Sequence, residues 1–134
     1  DVEENKDTND ACRLAIDMEV QTVKKYIGAF MAELGHVDAL VFTAGVGEND
    51  EYLRELFCSG MEELGIKLDK EKNSKTLARL GADETEISTP DSRVKIFMIP
   101  TNEELVIVED TLAIMNGNYN PNHLLMDYSF ARQK

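Results

Sequence analysis

Two short apolar runs constrain the fold of this chain more than any other feature of its sequence. The first, VDALVFT, spans residues 37–43, and the second, VKIFMI, spans residues 94–99. Runs of this length and composition are typical of strands that are buried on both faces of a parallel sheet. Helical patterns of apolar residues precede, separate and follow them. The order helix, strand, helix, strand, helix predicts an α/β fold in which the two strands pair in parallel.

Three helices are predicted by apolar residues that recur near the helical period and by capping residues at their ends. Their predicted limits are Asn9 or Asp10 to Gly35, Leu53 to Gly65, and Thr101 to Gly117. Residues 1–10 form a polar N-terminal lead, and residues 11–116 form the α/β part. Residues 117–134 are a tail whose structure the sequence leaves open.

Composition and charge exclude several classes of function. The 134 residues are 43% hydrophobic, which predicts a single soluble domain with one core. Fourteen basic residues against twenty-six acidic ones give a net charge of −12, which disfavours nucleic acid and anionic membranes as partners. No apolar run approaches the length of a membrane span. Cys12 and Cys58 fall among apolar neighbours, so we expect reduced thiols and a cytoplasmic protein.

Two motifs follow the predicted strands directly. AGVGEN, residues 44–49, comes after the first strand, and PTNEE, residues 100–104, comes after the second. In sheets of parallel strands, ligands collect at the carboxyl ends of the strands. We therefore expect the two motifs to face the same side of the sheet and to form the binding site.

The glycines of AGVGEN permit two interpretations. Gly45 and Gly47 allow positive φ and a close approach of the main chain to a flat ligand, such as a nucleotide base or ribose. A triphosphate fits less well, because Asp50 replaces the third glycine of G-x-G-x-x-G, Glu48 adds negative charge and no Walker lysine follows. Alternatively, the glycines only build a tight strand-to-helix turn, with Asn49 or Asp50 as the helix cap.

The acidic pair of PTNEE also permits two interpretations. Thr101 and Glu104 match the capping box T-x-x-E, which leaves Glu103 unexplained. An acid in the first helical turn gains about 0.3–1 kcal/mol from the helix dipole, and this alone can account for Glu103. The functional alternative is Mg²⁺, which takes only one or two protein carboxylates when it is bound to nucleotide phosphates.

These stretches resemble the acetate kinase family. The resemblance lies in VDALVFTAGVGEN (37–49) and VKIFMIPTNEELVI (94–107), and also in RLAIDMEVQTVKKYIGAF (13–30) and LGIKLDKEKN (64–73). It extends over Ala11 to Asp110 in the order and spacing of the family. It implies the second half of a ribonuclease H-like C-terminal lobe, as in the superfamily of acetate and sugar kinases, Hsp70 and actin, the actin-like ATPase fold.

The resemblance also implies a reaction. Family members catalyse the Mg²⁺-dependent, reversible transfer of a phosphoryl group from ATP to acetate, which gives ADP and acetyl phosphate. Glu103 is then the acidic residue of the magnesium site. The implied contacts to the nucleotide are Gly45, Val46, Gly47 and Asn49, with Leu53 as an apolar wall.

The catalytic groups of the family have no counterpart in this sequence. The acyl pocket, the catalytic arginines and aspartate and the phosphate-binding loop all lie upstream, in the missing part that includes the N-terminal lobe. We therefore expect this chain alone to be inactive, and the full-length protein to be a homodimer. Propionate and butyrate kinases share these motifs. A non-catalytic nucleotide-binding module, or an unrelated doubly wound domain, would also be compatible with the pattern of strands and glycines.

Overall fold

The computed structural model describes residues 2–122, 126, 128 and 129, and it forms two compact units, Asp1–Pro100 and Thr101–Lys134. The predicted mixed α/β class is confirmed. The helices of the first unit are α1 (Asp10–Leu34), α2 (Ala44–Asn49), α3 (Glu51–Cys58) and α4 (Lys70–Lys75). Its strands are β1 (Ala39–Phe42), β2 (Thr85–Glu86) and β3 (Lys95–Met98). The second unit contains α5 (Glu103–Met115).

The sheet has the order β1-β3-β2. β1 and β3 pair in parallel, in a register that runs from Ala39 opposite Lys95 to Phe42 opposite Met98, so the predicted pairing is confirmed. β2 pairs antiparallel on the other side of β3. The sequence did not predict β2, because two residues in a charged stretch carry no periodic signal.

The core lies on one face of the sheet, against α1 and α3. Ile96 and Met98 of β3 are fully buried there, and Phe42 of β1 joins them. The expectation of strands buried on both faces is wrong for β1, because Ala39 and Val41 are exposed. The period of two places these side chains on the opposite face, which nothing in the described part of the first unit covers.

The helix limits follow local capping bonds. Asn9 caps α1 by accepting the N–H of Ala11 at 2.9 Å, and Gly35 ends it with φ 68°, as predicted. The second predicted helix is shorter than expected. α3 ends at Cys58, and Gly60 has φ 72°, so the apolar residues up to Gly65 lie in a separate 3₁₀ turn. Glycine adopts this left-handed conformation at little cost, and it breaks the helix there.

The state of the cysteines and the character of the helices agree with what the composition predicted. Both cysteines are free, and burial raises the pKa of the Cys58 thiol to about 12, which makes this group unreactive. No helix in the described ranges combines the length and apolar character that crossing a membrane requires.

The second unit corrects the predicted capping box. Asn102 caps α5 by accepting the N–H of Leu105 at 3.1 Å, so the helix begins one residue after the place that Thr101 predicted. Asparagine is a stronger N-cap than threonine, which explains the shift. Gly117 follows the helix with φ 72°, as expected. Tyr128 of the tail donates its hydroxyl to Asp110 of α5 at 2.8 Å.

The N-terminal lead packs against α3. Lys6 lies over the ring of Tyr52, 5.0 Å from its centroid. The carboxyl of Glu3 is hydrogen-bonded to Asp50, and this bond, with partial burial, raises the pKa of Glu3 from 4.5 to about 7. Glu51 acts in the same direction, whereas Lys6 opposes it. The lead is therefore tied to the start of α3 by the hydrogen-bonded pair of Glu3 and Asp50.

This pair predicts a pH dependence of stability. The folded chain keeps on Glu3 a proton that the unfolded chain has already released, so the free energy of unfolding falls as pH rises from 4.5 to about 7. Glu3→Gln keeps the hydrogen-bond donor but cannot ionise. We expect this variant to gain stability relative to the wild type between about pH 5.5 and pH 8 in urea unfolding. If the stability difference between Glu3→Gln and the wild type is the same at about pH 5.5 and pH 8, the prediction is contradicted.

Candidate functional site

The AGVGEN motif forms the short helix α2 at the carboxyl end of β1. The sequence suggested that Gly45 and Gly47 use positive φ in this motif, and this is wrong. The residue with positive φ is Ala44, at 60°, whereas both glycines are helical. A non-glycine residue in this conformation costs about 1–2 kcal/mol and persists only where the surrounding structure holds it.

A buried carboxylate stabilises this strained start. Oε1 of Glu48 accepts the backbone N–H of Ala44 at 2.7 Å, and Glu48 is only 8% exposed. One oxygen of the Glu48 carboxyl is thereby engaged within α2. Glu48 has a structural role in this motif.

The two glycines of α2 serve different purposes. A Cβ on Gly47 would lie 3.1 Å from the carbonyl carbon of Phe42, so Gly47 allows the helix to pack on the end of β1. A Cβ on Gly45 would meet nothing within 4 Å. Val46, beside Gly45, is 45% exposed. The accessible surface of the motif is therefore a bare main chain next to an apolar side chain.

The end of the motif leads straight into α3. Asp50 caps α3 by accepting the N–H of Leu53 at 2.8 Å, which decides between the two capping residues that the sequence allowed. The side chain of Leu53 lies in the core and is 5% exposed. The structure thus brings Gly45 and Val46 to the surface and Leu53 to the interior behind them.

The fully buried side chain of Arg54 is hydrogen-bonded to α2 from the interior of the protein. Nη1 of Arg54 donates to the carbonyl of Gly47 at 2.7 Å, and its Nε donates to Oδ1 of Asn73 at 2.7 Å. Its Nη2 donates to the carbonyls of Asn73, at 3.1 Å, and Thr76, at 2.6 Å. Burial lowers the pKa of Arg54, and the nearby charges of Glu51 and Asp50 oppose this shift. Arginine keeps its charge nonetheless.

Sequence reasoning missed Arg54, although a signal was present. Leu53, Arg54, Phe57 and Cys58 form the buried face of α3. The spacing i, i+3, i+4 places Arg54 among apolar residues, where an arginine needs fixed acceptors. Its acceptors lie 7 to 22 residues away along the chain, and no local pattern predicts them.

A second arginine, Arg79, contacts Asn49 at the surface. The backbone N–H of Arg79 donates to Oδ1 of Asn49 at 2.7 Å, and its Nη1 donates to the Asn49 carbonyl. Arg79 lies in the 3₁₀ turn Ala78–Leu80 and is exposed. The sequence offered little evidence for structure in this region, and no pattern in it indicated a role for Arg79.

Glu103 lies in the first turn of α5 in the second unit, next to Glu104, and both are exposed. The described residues contain no group of three or more His, Cys, Asp or Glu side chains that could hold a metal ion by themselves. A cation bound by Glu103 would need most of its ligands from elsewhere, as Mg²⁺ on nucleotide phosphates does. The expectation that the two motifs face the same side stays a prediction.

The described geometry defines a class of protein: an α/β lobe with an exposed, rigidly held helix at the carboxyl end of a parallel strand. The model of the acetokinase family matches residues 1–109. The chain belongs to the acetokinase family.

Individual relatives agree with this assignment. The acetate kinase of Geobacter metallireducens is 51% identical over 134 residues, which cover 99% of this chain and 31% of that protein. The crystal structure of Porphyromonas gingivalis acetate kinase matches with a TM-score of 0.72 and 41% identity, over 85% of this chain and 28% of that one. A propionate kinase from Francisella tularensis matches with a TM-score of 0.65 and 34% identity, over 78% and 25%. The chain thus spans less than a third of the length of these relatives.

Proposed function

We propose that this chain is the C-terminal, nucleotide-binding part of an acetate kinase. The full-length protein would transfer the γ-phosphoryl group of ATP to a carboxylate oxygen of acetate, in the presence of Mg²⁺, giving ADP and acetyl phosphate. The observation that carries the proposal is the exposed, rigidly held α2 at the end of β1, in a chain 51% identical to an acetate kinase.

The surface of α2 suits an adenosine. Because no side chain projects from Gly45, a flat base or ribose can lie against the main chain there, with the exposed Val46 as an apolar neighbour. Asn49 supplies a polar group at the far end of α2. Gly47 and Leu53 lie behind this surface and support it, with Gly47 packed on Phe42.

Glu103 fits a magnesium site of the kind that nucleotide phosphates complete. Its carboxylate is exposed, and no residue in the described part of the chain forms an ion pair with it. When bound, Mg²⁺ supplies charge neutralisation at the transferred phosphoryl group. The role of Glu103 is then to hold the cation, directly or through water, at the start of α5.

The remaining parts of the enzyme are proposed from the family. The acyl pocket and the catalytic arginines and aspartate belong to the upstream part of the protein, including its N-terminal lobe. We also propose a homodimer in the cytoplasm. The match to a propionate kinase makes propionate an alternative acyl substrate, and a nucleotide-binding module without catalysis is a second candidate.

The test compares the full-length protein with this chain alone. In a hydroxamate assay for acetyl phosphate, we expect turnover from the full-length protein and none from the 134-residue chain, which lacks groups that stabilise transferred charge. Parallel assays with propionate and butyrate identify the acyl group. Turnover by the purified chain would contradict the division of roles, and an inactive full-length protein that binds ADP would favour the module.

The two glycines of α2 separate stability from nucleotide binding. Gly47→Ala forces a Cβ against the backbone of Phe42, and we expect a loss of about 1–2 kcal/mol in the free energy of unfolding. Gly45→Ala has open space, so its stability should stay equal or rise by up to about 1 kcal/mol. Because this Cβ would occupy the ligand's place, calorimetry of the full-length protein should show ADP affinity reduced at least about tenfold. Unchanged affinity in Gly45→Ala would place the nucleotide elsewhere.

A further inference from the structure

Asn49 is the polar group of the α2 surface, and its orientation is set from outside the motif. The backbone N–H of Arg79 donates to Oδ1 of Asn49 at 2.7 Å. Since an N–H group requires an acceptor opposite it, the oxygen of the carboxamide must face Arg79 and its amide nitrogen must face away. The Asn49 carboxamide is thus left with N–H donors for a ligand, and a ligand atom that binds this amide group must be an acceptor.

The guanidinium of Arg79 holds the main chain of the same residue. Its Nη1 donates to the carbonyl of Asn49, so backbone and side chain of Asn49 are both tied to Arg79. Arg79 is exposed and lies 30 residues further along the chain. Its contact is thus not part of the packing of the core.

The segment that carries Arg79 is itself anchored. Residues 73–79, here called the bracing segment, receive three hydrogen bonds from the buried Arg54, at Asn73 and Thr76. Arg54 also binds the carbonyl of Gly47 in α2. The bracing segment and α2 are therefore linked twice, once in the interior through Arg54 and once at the surface through Arg79.

We propose that Arg79 is a positioning residue of the nucleotide site, which acts through Asn49: its backbone N–H fixes the direction of the carboxamide, and its guanidinium holds the carbonyl at the end of α2. This inference rests on the proposed function. Arg79 need not touch the nucleotide. Its loss should weaken the binding of the nucleoside part, and the transfer step itself should be unaffected once ATP is bound.

The test uses kinetics of the full-length kinase with Arg79→Ala, which keeps the backbone N–H to Oδ1 of Asn49 and removes only the guanidinium bond to the Asn49 carbonyl. We expect KM for ATP to rise roughly fivefold to tenfold, the size of one net hydrogen bond, with kcat changed by less than about twofold. The inhibition constant of adenosine, measured against ATP, should rise by the same factor. Arg79→Lys retains a donor for the Asn49 carbonyl and should recover most of the affinity. The melting temperature should stay within about 2 °C, because Arg79 is exposed.

A matched control is Arg93→Ala. Arg93 is also exposed and also donates to a backbone carbonyl, that of Leu64 at 2.7 Å, which lies outside α2 and the bracing segment. Its KM for ATP should equal that of the wild type. A rise common to both variants would be a general structural effect and would overturn the proposal.

The remaining outcomes are equally decisive. An active wild type with unchanged KM in Arg79→Ala refutes the positioning role and leaves the proposed function intact. If Arg79→Ala binds ATP more weakly but binds adenosine as the wild type does, Arg79 contacts the phosphates directly. This result also refutes the positioning role. A full-length wild type that neither turns over nor binds ATP refutes the proposed function, and this inference with it.

Discussion

Replacing Arg54 by methionine is expected to lower the free energy of unfolding of this chain by about 3–5 kcal/mol. Arg54 is fully buried, and its four hydrogen bonds satisfy acceptors of Gly47, Asn73 and Thr76. Methionine fills similar space but leaves these acceptors without a donor in the interior, and each such group costs about 1–3 kcal/mol. Urea unfolding followed by circular dichroism measures the difference.

Two further variants make this test quantitative. Arg54→Lys keeps the charge but cannot reproduce the planar fork, so we expect a loss of about 2 kcal/mol, which remains measurable if the methionine variant does not fold. Arg93→Ala removes an exposed arginine with one carbonyl partner and should cost less than about 1 kcal/mol. Equal stability of Arg54→Met and Arg93→Ala would show that the buried network contributes nothing.

Replacing Glu103 by glutamine is expected to lower turnover of the full-length kinase by about 10²-fold or more while its fold persists, if Glu103 holds Mg²⁺. The helix-dipole interpretation predicts a different result: a stability loss of at most about 1 kcal/mol and nearly intact turnover. Turnover against Mg²⁺ concentration, together with thermal melts, distinguishes the two.

Glu104→Gln is the matched control for Glu103. Because Asn102 is the cap of α5, both glutamates stand in the first turn and both are exposed. The dipole therefore affects them alike, and only a metal contact can separate them. A loss of turnover in Glu103→Gln but not in Glu104→Gln supports the magnesium role of Glu103. Equal turnover in both variants and the wild type would contradict that role.

Sequence reasoning placed AGVGEN directly after a strand, as the structure has it, but did not predict the conformation of the motif. The exposure of Gly45 and Val46 is a finding of the structure. The positive φ of Ala44 was not predicted either, because its N–H bonds to Glu48 within α2, a helix that the sequence pattern did not indicate. The nucleotide and metal roles of these residues stay predictions.

The sequence by itself determined the features that depend on short-range bonds. The start of α1 at Asn9 or Asp10 and its stop at Gly35 rest on contacts within a few residues, which composition and spacing encode. The parallel pairing of β1 and β3 also followed, since the order of elements leaves few topologies.

Only the tertiary structure decided what supports the candidate site. Arg54 reaches Asn73 and Thr76 across 19 and 22 residues, and Arg79 reaches Asn49 across 30. Such bonds have no periodicity, because their partners are brought together only by the tertiary fold. A buried guanidinium must find fixed acceptors wherever the fold supplies them, and these acceptors are mostly backbone carbonyls, which every residue carries. The sequence therefore cannot name them in advance.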